Sequence, residues 1–152
     1  MPEQVAGWRS SKNNCLASPP VSREQRQAFI ALRRRLVKAL HDRGVPFILG
    51  SDAPQLWNVP GFSAHRELGA LVAAGLTPYQ ALRTGTLDVA TAMGETGRAG
   101  VVRAGARADL VLLDANPLTS IDNSLRISGV VVNGRWIGPA ERERMLEALA
   151  AR

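Results

Sequence analysis

The apolar positions divide the chain into a helical first part and a strand-rich second part. Ser22 followed by Gln25 has the form of a capping box, and Phe29, Leu32, Leu36 and Leu40 then recur at helical spacing until Gly44 supplies a stop. Val45 to Leu49 is a short apolar run without polar alternation, which predicts a strand buried on both faces, as in the parallel sheets of α/β proteins. Gly50-Ser51-Asp52-Ala53-Pro54 ends that strand, and Gln55 to Phe62 continues as a loop around Pro60-Gly61. Ser63 is placed to cap a second helix with Leu68, Leu71 and Val72 on one face and Gly75 as its stop. Thr77 with Gln80 repeats the capping box, Pro78 suits the first helical position, and Tyr79, Leu82, Thr86, Ala90 and Met93 line one side of a third helix ending at Gly94.

From Gly97 the pattern changes to glycine-punctuated β signals. A turn around Ala104-Gly105 leads to a strand over Asp109 to Leu113, which Asn116-Pro117 closes. Val130 to Val132, Asn133-Gly134 and Arg135 to Ile137 predict a hairpin, because Asn-Gly accommodates the positive φ values of a type I′ turn. Pro139 to Ala151 reads as a short terminal helix. Residues 1–21 show no sustained period and read as an irregular N-terminal segment. The resulting division is 1–21 irregular, 22–96 α/β, 97–138 β and 139–152 helical, with the candidate domain boundary near residues 95–100.

Composition narrows the class of partner. With 45% hydrophobic residues in 152, the chain can bury a core. The net charge of +6 is confined to residues 1–44, which hold nine basic and three acidic residues; residues 45–152 hold ten of each. Within the basic part, Arg33-Arg34-Arg35 reads as a solvated helix face, since no nucleic-acid-binding motif or aromatic platform accompanies it. No nucleic-acid partner is therefore expected. No membrane partner is expected either: there is no apolar run of 18 residues, and Asn, Lys, Ser and Pro stand where a signal peptide would be apolar. The chain as given reads as soluble, its compartment undecided. The single cysteine, Cys15, makes no internal disulfide, and no Cys/His cluster suggests a cysteine-based zinc site.

Several ordered motifs together are more specific than any one. Gly44-Val45-Pro46-Phe47-Ile48-Leu49-Gly50-Ser51-Asp52-Ala53-Pro54 resembles the eighth-strand segment of the amidohydrolase superfamily, in its imidazolonepropionase-like and Xaa-Pro dipeptidase-like branch, with Ser51 in place of the usual threonine. The resemblance continues through His65-Arg66-Glu67-Leu68, Ala74-Gly75-Leu76-Thr77-Pro78, Ala81-Leu82-Arg83 and Thr86. It extends to Gly100, Gly105, Ala108 to Asp114, Asn116-Pro117-Leu118, Ile121 and Val131 to Arg135, so it covers roughly residues 30–137. What it implies is the C-terminal part of a metal-dependent hydrolase (β/α)8 TIM barrel, followed by part of a small β-sandwich.

The resemblance also implies a chemistry. Asp52 matches the last-strand aspartate that ligates metal and handles the proton of the attacking water, so Asp52 is the candidate catalytic and metal residue. The implied cofactor is a divalent ion, zinc being expected, which lowers the pKa of bound water to roughly 7. The implied substrate is a small-molecule amide or dipeptide cleaved at a carbon-nitrogen bond. Read from its local sequence alone, Asp52 is better taken as an ordinary turn aspartate; the extended resemblance reverses that. His65 follows the Asp52 loop and is the candidate substrate-binding residue, with helix-start packing as the alternative. His41, just before the Gly44 stop, favours the helix dipole rather than a metal. Glu67, Asp109 and Asp114 are given capping, pairing or turn roles.

One departure bears on activity. The chain has only two histidines and no His-x-His pair, so most ligands the resemblance implies have no position here. The expectation is therefore a C-terminal fragment, inactive alone and holding no metal stably. The alternative is a non-catalytic structural chain that completes a barrel with a complementary half or as a homo-oligomer. A self-contained hydrolase built on Asp52 and His65 ranks last, because no Gly-x-Ser-x-Gly motif supplies a nucleophile.

Overall fold

A computed structural model describes residues 2–16, 21–55 and 57–150. Five helices precede the sheet: α1 Pro2–Leu16, α2 Arg23–Asp42, α3 Phe62–Ala73, α4 Pro78–Thr84 and α5 Leu87–Ala92. Three strands follow, β1 Leu110–Leu113, β2 Ile127–Val132 and β3 Arg135–Ile137, with the 3₁₀ helix Ile121–Leu125 between the first two and α6 Pro139–Ala150 at the end. The architecture is α/β with a small antiparallel sheet. No described helix is long and apolar enough to cross a membrane.

The capping boxes form as the sequence predicts. Ser22 accepts from the Gln25 amide at 3.1 Å while the Gln25 side chain takes the Ser22 amide at 2.9 Å, and Thr77 and Gln80 repeat the arrangement. Gly44, at φ 77°, turns the chain out of α2 in a left-handed conformation that a side chain would resist.

The core is centred on α3. Leu68 and Leu71, three residues apart and so on one face, meet Leu76, Ala81 of α4 and Ile121 of the 3₁₀ helix. Val37, Leu49, Val72 and Leu82 pack around them. Ile121 thus ties the strand-rich part to the helices. Ala81 is wholly buried, and its small side chain lets α4 lie close to its neighbours.

Four expectations are corrected. Residues 2–16 are helical rather than irregular; α1 has no apolar stripe to read, because among its described side chains only Trp8 is buried. Residues 17–20 lie outside the described residues. The predicted strand Val45–Leu49 is not a strand, since a strand requires a ladder partner and none is present among the described residues. Its backbone instead donates from Val45 to Leu40 at 3.1 Å and from Leu49 to Thr84 at 3.0 Å, and Ile48 is 51% exposed. Ser63 does not cap α3; Gly61 occupies that position and Ser63 is buried in the first turn.

The predicted third helix is broken in two at Gly85-Thr86. A Cβ on Gly85 would stand 2.9 Å from Leu49 Cδ2, so the break is where the 45–49 segment presses on the helix. The predicted face holds in part: Ala90 is buried and Leu82 packs against the core, whereas Tyr79, Thr86 and Met93 are exposed and Ala81 and Thr84 are buried instead. Small side chains win these positions because two backbones approach there.

The sheet follows the predicted hairpin. β1 and β2 are antiparallel, with Leu110 opposite Val131 and Leu112 opposite Gly129 and a register shift before Leu113. β2 returns into β3, Val132 opposite Arg135, through Asn133 and Gly134, both at positive φ. The Trp136 indole lies over Gly129, in the space a Cβ would need. Asp109 accepts from the Asn133 amide at 2.7 Å and from Arg107 Nε at 2.5 Å, so it latches the turn to β1. The Asn133 amide, and then Arg107, hold its carboxyl below the usual carboxylate range. Asp114 accepts from the Ser128 hydroxyl at the other end of the strand. Both aspartates have the structural roles expected of them.

Two predictions follow from this packing. Gly100 stands at φ 70° with Thr86 O only 2.4 Å from a would-be Cβ. Gly100→Ala should cost about 3 kcal/mol in urea unfolding, whereas Gly69→Ala, in α3 with open space around it, should stabilise by about 0.5–1 kcal/mol. Because the folded pKa of Asp109 is depressed, its contribution is present above the unfolded value, about 3.9, and is lost as pH falls through the lower folded value. The difference in urea midpoint between the wild type and Asp109→Ala should therefore be full at neutral pH and shrink through the acid range below about pH 4; a constant difference would remove the carboxylate from the hairpin's support.

Candidate active site at the Asp52 loop

Asp52 stands just beyond the 45–49 segment, on an exposed loop. Its backbone is left-handed, φ 54°, a conformation that aspartate tolerates better than most residues. Local bonds hold it there. The Gln55 side chain donates to Asp52 Oδ2 at 2.5 Å, and the Gln55 amide donates to the Asp52 carbonyl at 3.1 Å. The Asn58 amide donates to the Gln55 carbonyl at 2.8 Å, while Asn58 Nδ2 reaches back to the Ser51 carbonyl, also at 2.8 Å.

The loop is moored to α3 through two hydroxyls. Ser51 Oγ and Ser63 Oγ are 2.8 Å apart, and the Ser63 amide donates to Val59 at 2.9 Å. Ser63 is 3% exposed, so this bond is shielded from water. Asp52 is thereby presented outward with one oxygen bonded to a neutral amide and the other outside that bond.

His65 faces elsewhere. Two residues along a helix rotate a side chain by about 200°, so Ser63 and His65 take different hydrogen-bond partners, although both line one cavity. His65 Nδ1 lies 3.0 Å from Ser124 Oγ, a buried hydroxyl of the 3₁₀ helix. The ring lines an open cavity of about 420 Å³ between α3 and that helix, with Phe62, Arg66, Asp122 and Leu125 around it. His41 sits against Asp42 and Phe47 at the end of α2. Glu67 lines a separate groove with Ile30 and Arg34 of α2.

The sequence singles out Asp52 as a candidate but not the residues that bond around it. Ser51 was legible only as a substitute for threonine, and Ser63 as a cap. Gln55, three residues after Asp52, carried a signal in its spacing, since an amide there reaches the carboxylate across a turn. Asn58 carried none, because its partner is a backbone carbonyl seven residues away.

Among the described residues, no three His, Cys, Asp or Glu side chains converge to hold a metal ion. Asp52 brings one carboxylate, and the side chains bonded around it, from Ser51, Gln55 and Asn58, are neutral. These residues do not by themselves fit a divalent ion, which takes at least three protein ligands in catalytic zinc sites.

The amidohydrolase family model matches residues 19–137, and the chain belongs to that family. Among solved structures it is similar to a bottromycin amidohydrolase, at 25% identity and a TM-score of 0.76, over 99% of this chain and 33% of that one. Molinate hydrolase is 30% identical, with a TM-score of 0.57, over 88% of this chain and 30% of that one. A Xaa-Pro dipeptidase, solved with methionine in its active site, shares the fold at 20% identity and a TM-score of 0.61, over 70% of this chain and 25% of that one. The chain thus spans a quarter to a third of the length of these structures. No curated protein matches it in sequence.

The hydroxyl mooring gives a direct test. Ser63→Ala should lower stability by about 1 kcal/mol in urea unfolding, because Ser51 loses its buried partner. An unchanged midpoint would mean that water replaces Ser63 without cost.

Proposed function

We propose that this chain is the aspartate-bearing end of a (β/α)8-barrel amidohydrolase that hydrolyses a carbon-nitrogen bond in a small-molecule amide or dipeptide. The observation that carries this reading is the presentation of Asp52: an exposed carboxylate in left-handed geometry, bonded by Gln55, within the stretch that the family model matches.

Asp52 takes a proton from a water molecule whose oxygen adds to the amide carbon, and returns it to the nitrogen as the carbon-nitrogen bond breaks. The products are a carboxylic acid and an amine. Gln55 fixes the orientation of the carboxylate and leaves one oxygen for the proton. The family is generally dependent on a divalent metal, and on this reading the ion is zinc. Asp52 would be one ligand among several, the others coming from polypeptide outside this chain, and no step is assigned to an ion held by this chain alone. His65 is proposed to contact substrate from the cavity beside α3.

A second reading draws on the 45–49 segment. Val45 and Ile48 are exposed apolar residues without a ladder partner among the described residues, so the chain would serve as a structural part that completes a barrel with another polypeptide or a second copy.

The two readings separate in one experiment. The purified chain is assayed for amide hydrolysis with added zinc, alone and co-expressed with the part of the bottromycin amidohydrolase that it does not cover, about two-thirds of that protein. We expect no turnover alone, turnover in the complex, and a loss of about 100-fold or more in the complex carrying Asp52→Asn. Zinc-dependent turnover by the chain alone would overturn its incompleteness, and a complex indifferent to Asp52→Asn would leave only the structural reading.

A further inference from the structure

We infer that α1 is a strap that positions the Asp52 loop, with Trp8 as its anchor and Trp57 as the side chain that receives it. The role assigned to the strap rests on Asp52 being the reacting carboxylate; the coupling itself does not.

A helix docks through the side chains it buries, and among the described side chains of α1 these are few: Val5 is half-buried and lies three residues before Trp8. Among its described side chains Glu3, Arg9, Ser10 and Ser11 are exposed, and Trp8 alone is buried, at 7% exposure. Among the described side chains of α1, Trp8 is thus the main anchor. Its indole meets Trp57, with ring centroids 5.6 Å apart and planes tilted by 46°, within the range that aromatic pairs prefer.

The receiving residue sits at a sensitive place. Trp57 lies between Gln55, which bonds the Asp52 carboxylate, and Asn58, which bonds the carbonyls of Gln55 and Ser51. Its own φ is 61°, a conformation that a bulky aromatic residue adopts only when its surroundings hold it. Trp8 supplies such a hold. Displacing the Trp8 indole frees Trp57 to leave the left-handed region, and either flanking bond then shifts with it. The order of dependence is Trp8 to Trp57, Trp57 to the Gln55 and Asn58 bonds, and those bonds to Asp52. The similarity to the bottromycin amidohydrolase covers 99% of this chain and so takes in α1, whereas the likeness to the Xaa-Pro dipeptidase covers 70%.

Trp8 and Trp57 are thus positioning residues. The test is amide hydrogen exchange and circular dichroism on the full chain and its variants. Trp8→Ala should accelerate exchange at the Gln55 and Asn58 amides about tenfold or more while leaving the β2 amides unchanged. Trp57→Ala should produce the same local acceleration, and Trp8→Phe should restore most of the protection by supplying another ring. The coupled signal of two close indoles should disappear from the circular dichroism spectrum in both alanine variants. Unchanged exchange at Gln55 and Asn58, or equal acceleration in β2, would overturn the strap, the second by showing that Trp8 acts on global stability alone. Failure of Asp52 as the reacting carboxylate would show in the activity of the Asp52→Asn complex and would leave these exchange rates as they are.

Discussion

Leu49 pressing into the gap at Gly85 is the contact on which the rest of the arrangement depends. Its amide donates to the Thr84 carbonyl at the end of α4, and its side chain occupies space that a Cβ on Gly85 would contest. This fastens the 45–49 segment without a sheet. Asp52 is three residues beyond that fastening, so the loop that carries it starts from one hydrogen bond, one half-buried leucine and one missing methyl group. The same contact breaks the helical pattern at Gly85-Thr86 and turns α5 so that Gly100 can close on the Thr86 backbone.

Around Asp52 the structure uses neutral hydrogen bonds rather than charges. Gln55, Asn58, Ser51 and Ser63 support the carboxylate and its backbone, and no cation appears among the partners of that network. Neutral donors fix the orientation of the carboxylate through directional hydrogen bonds. An outward carboxylate with one oxygen outside its intramolecular bond is suited to a shared site, in which other groups arrive from beyond the loop. This is also where membership of the amidohydrolase family and the absence of a metal-holding cluster among the described residues become compatible.

The apolar surface has a matching distribution. No residue of α2 is buried, and Phe29, Ile30, Leu32 and Leu36 lie exposed along it. Val45 and Ile48 are exposed in the segment that follows. Burying such a side chain yields about 1.5–3 kcal/mol, so a stripe of six is a large unrealised stabilisation. α3, by contrast, is sealed by Leu68, Leu71 and Ile121 within the chain. The chain buries Ile121 of the 3₁₀ helix against α3 and leaves the apolar side chains of α2 and the 45–49 segment exposed.

By itself the sequence determined whatever depends on neighbours close along the chain. The capping boxes at Ser22 and Thr77, the left-handed exit at Gly44, the Asn133-Gly134 turn and the α/β class were legible because each rests on the local preferences of a few consecutive residues. Asp52 stood out as a candidate because the motif around it is local too. Tertiary structure alone decided what depends on distant partners. Val45–Leu49 has the composition of a strand, but strand structure belongs to a ladder and no partner was supplied. Ser63 has the chemistry of a cap, but Ser51 approached it from across the loop. Trp8 of α1 meets Trp57, about fifty residues away, a pairing that no local pattern announces. His65 was drawn toward Ser124 by helical geometry that no local pattern encodes. Backbone propensity is written in adjacent residues; which side chain meets which is decided only when the chain folds back on itself.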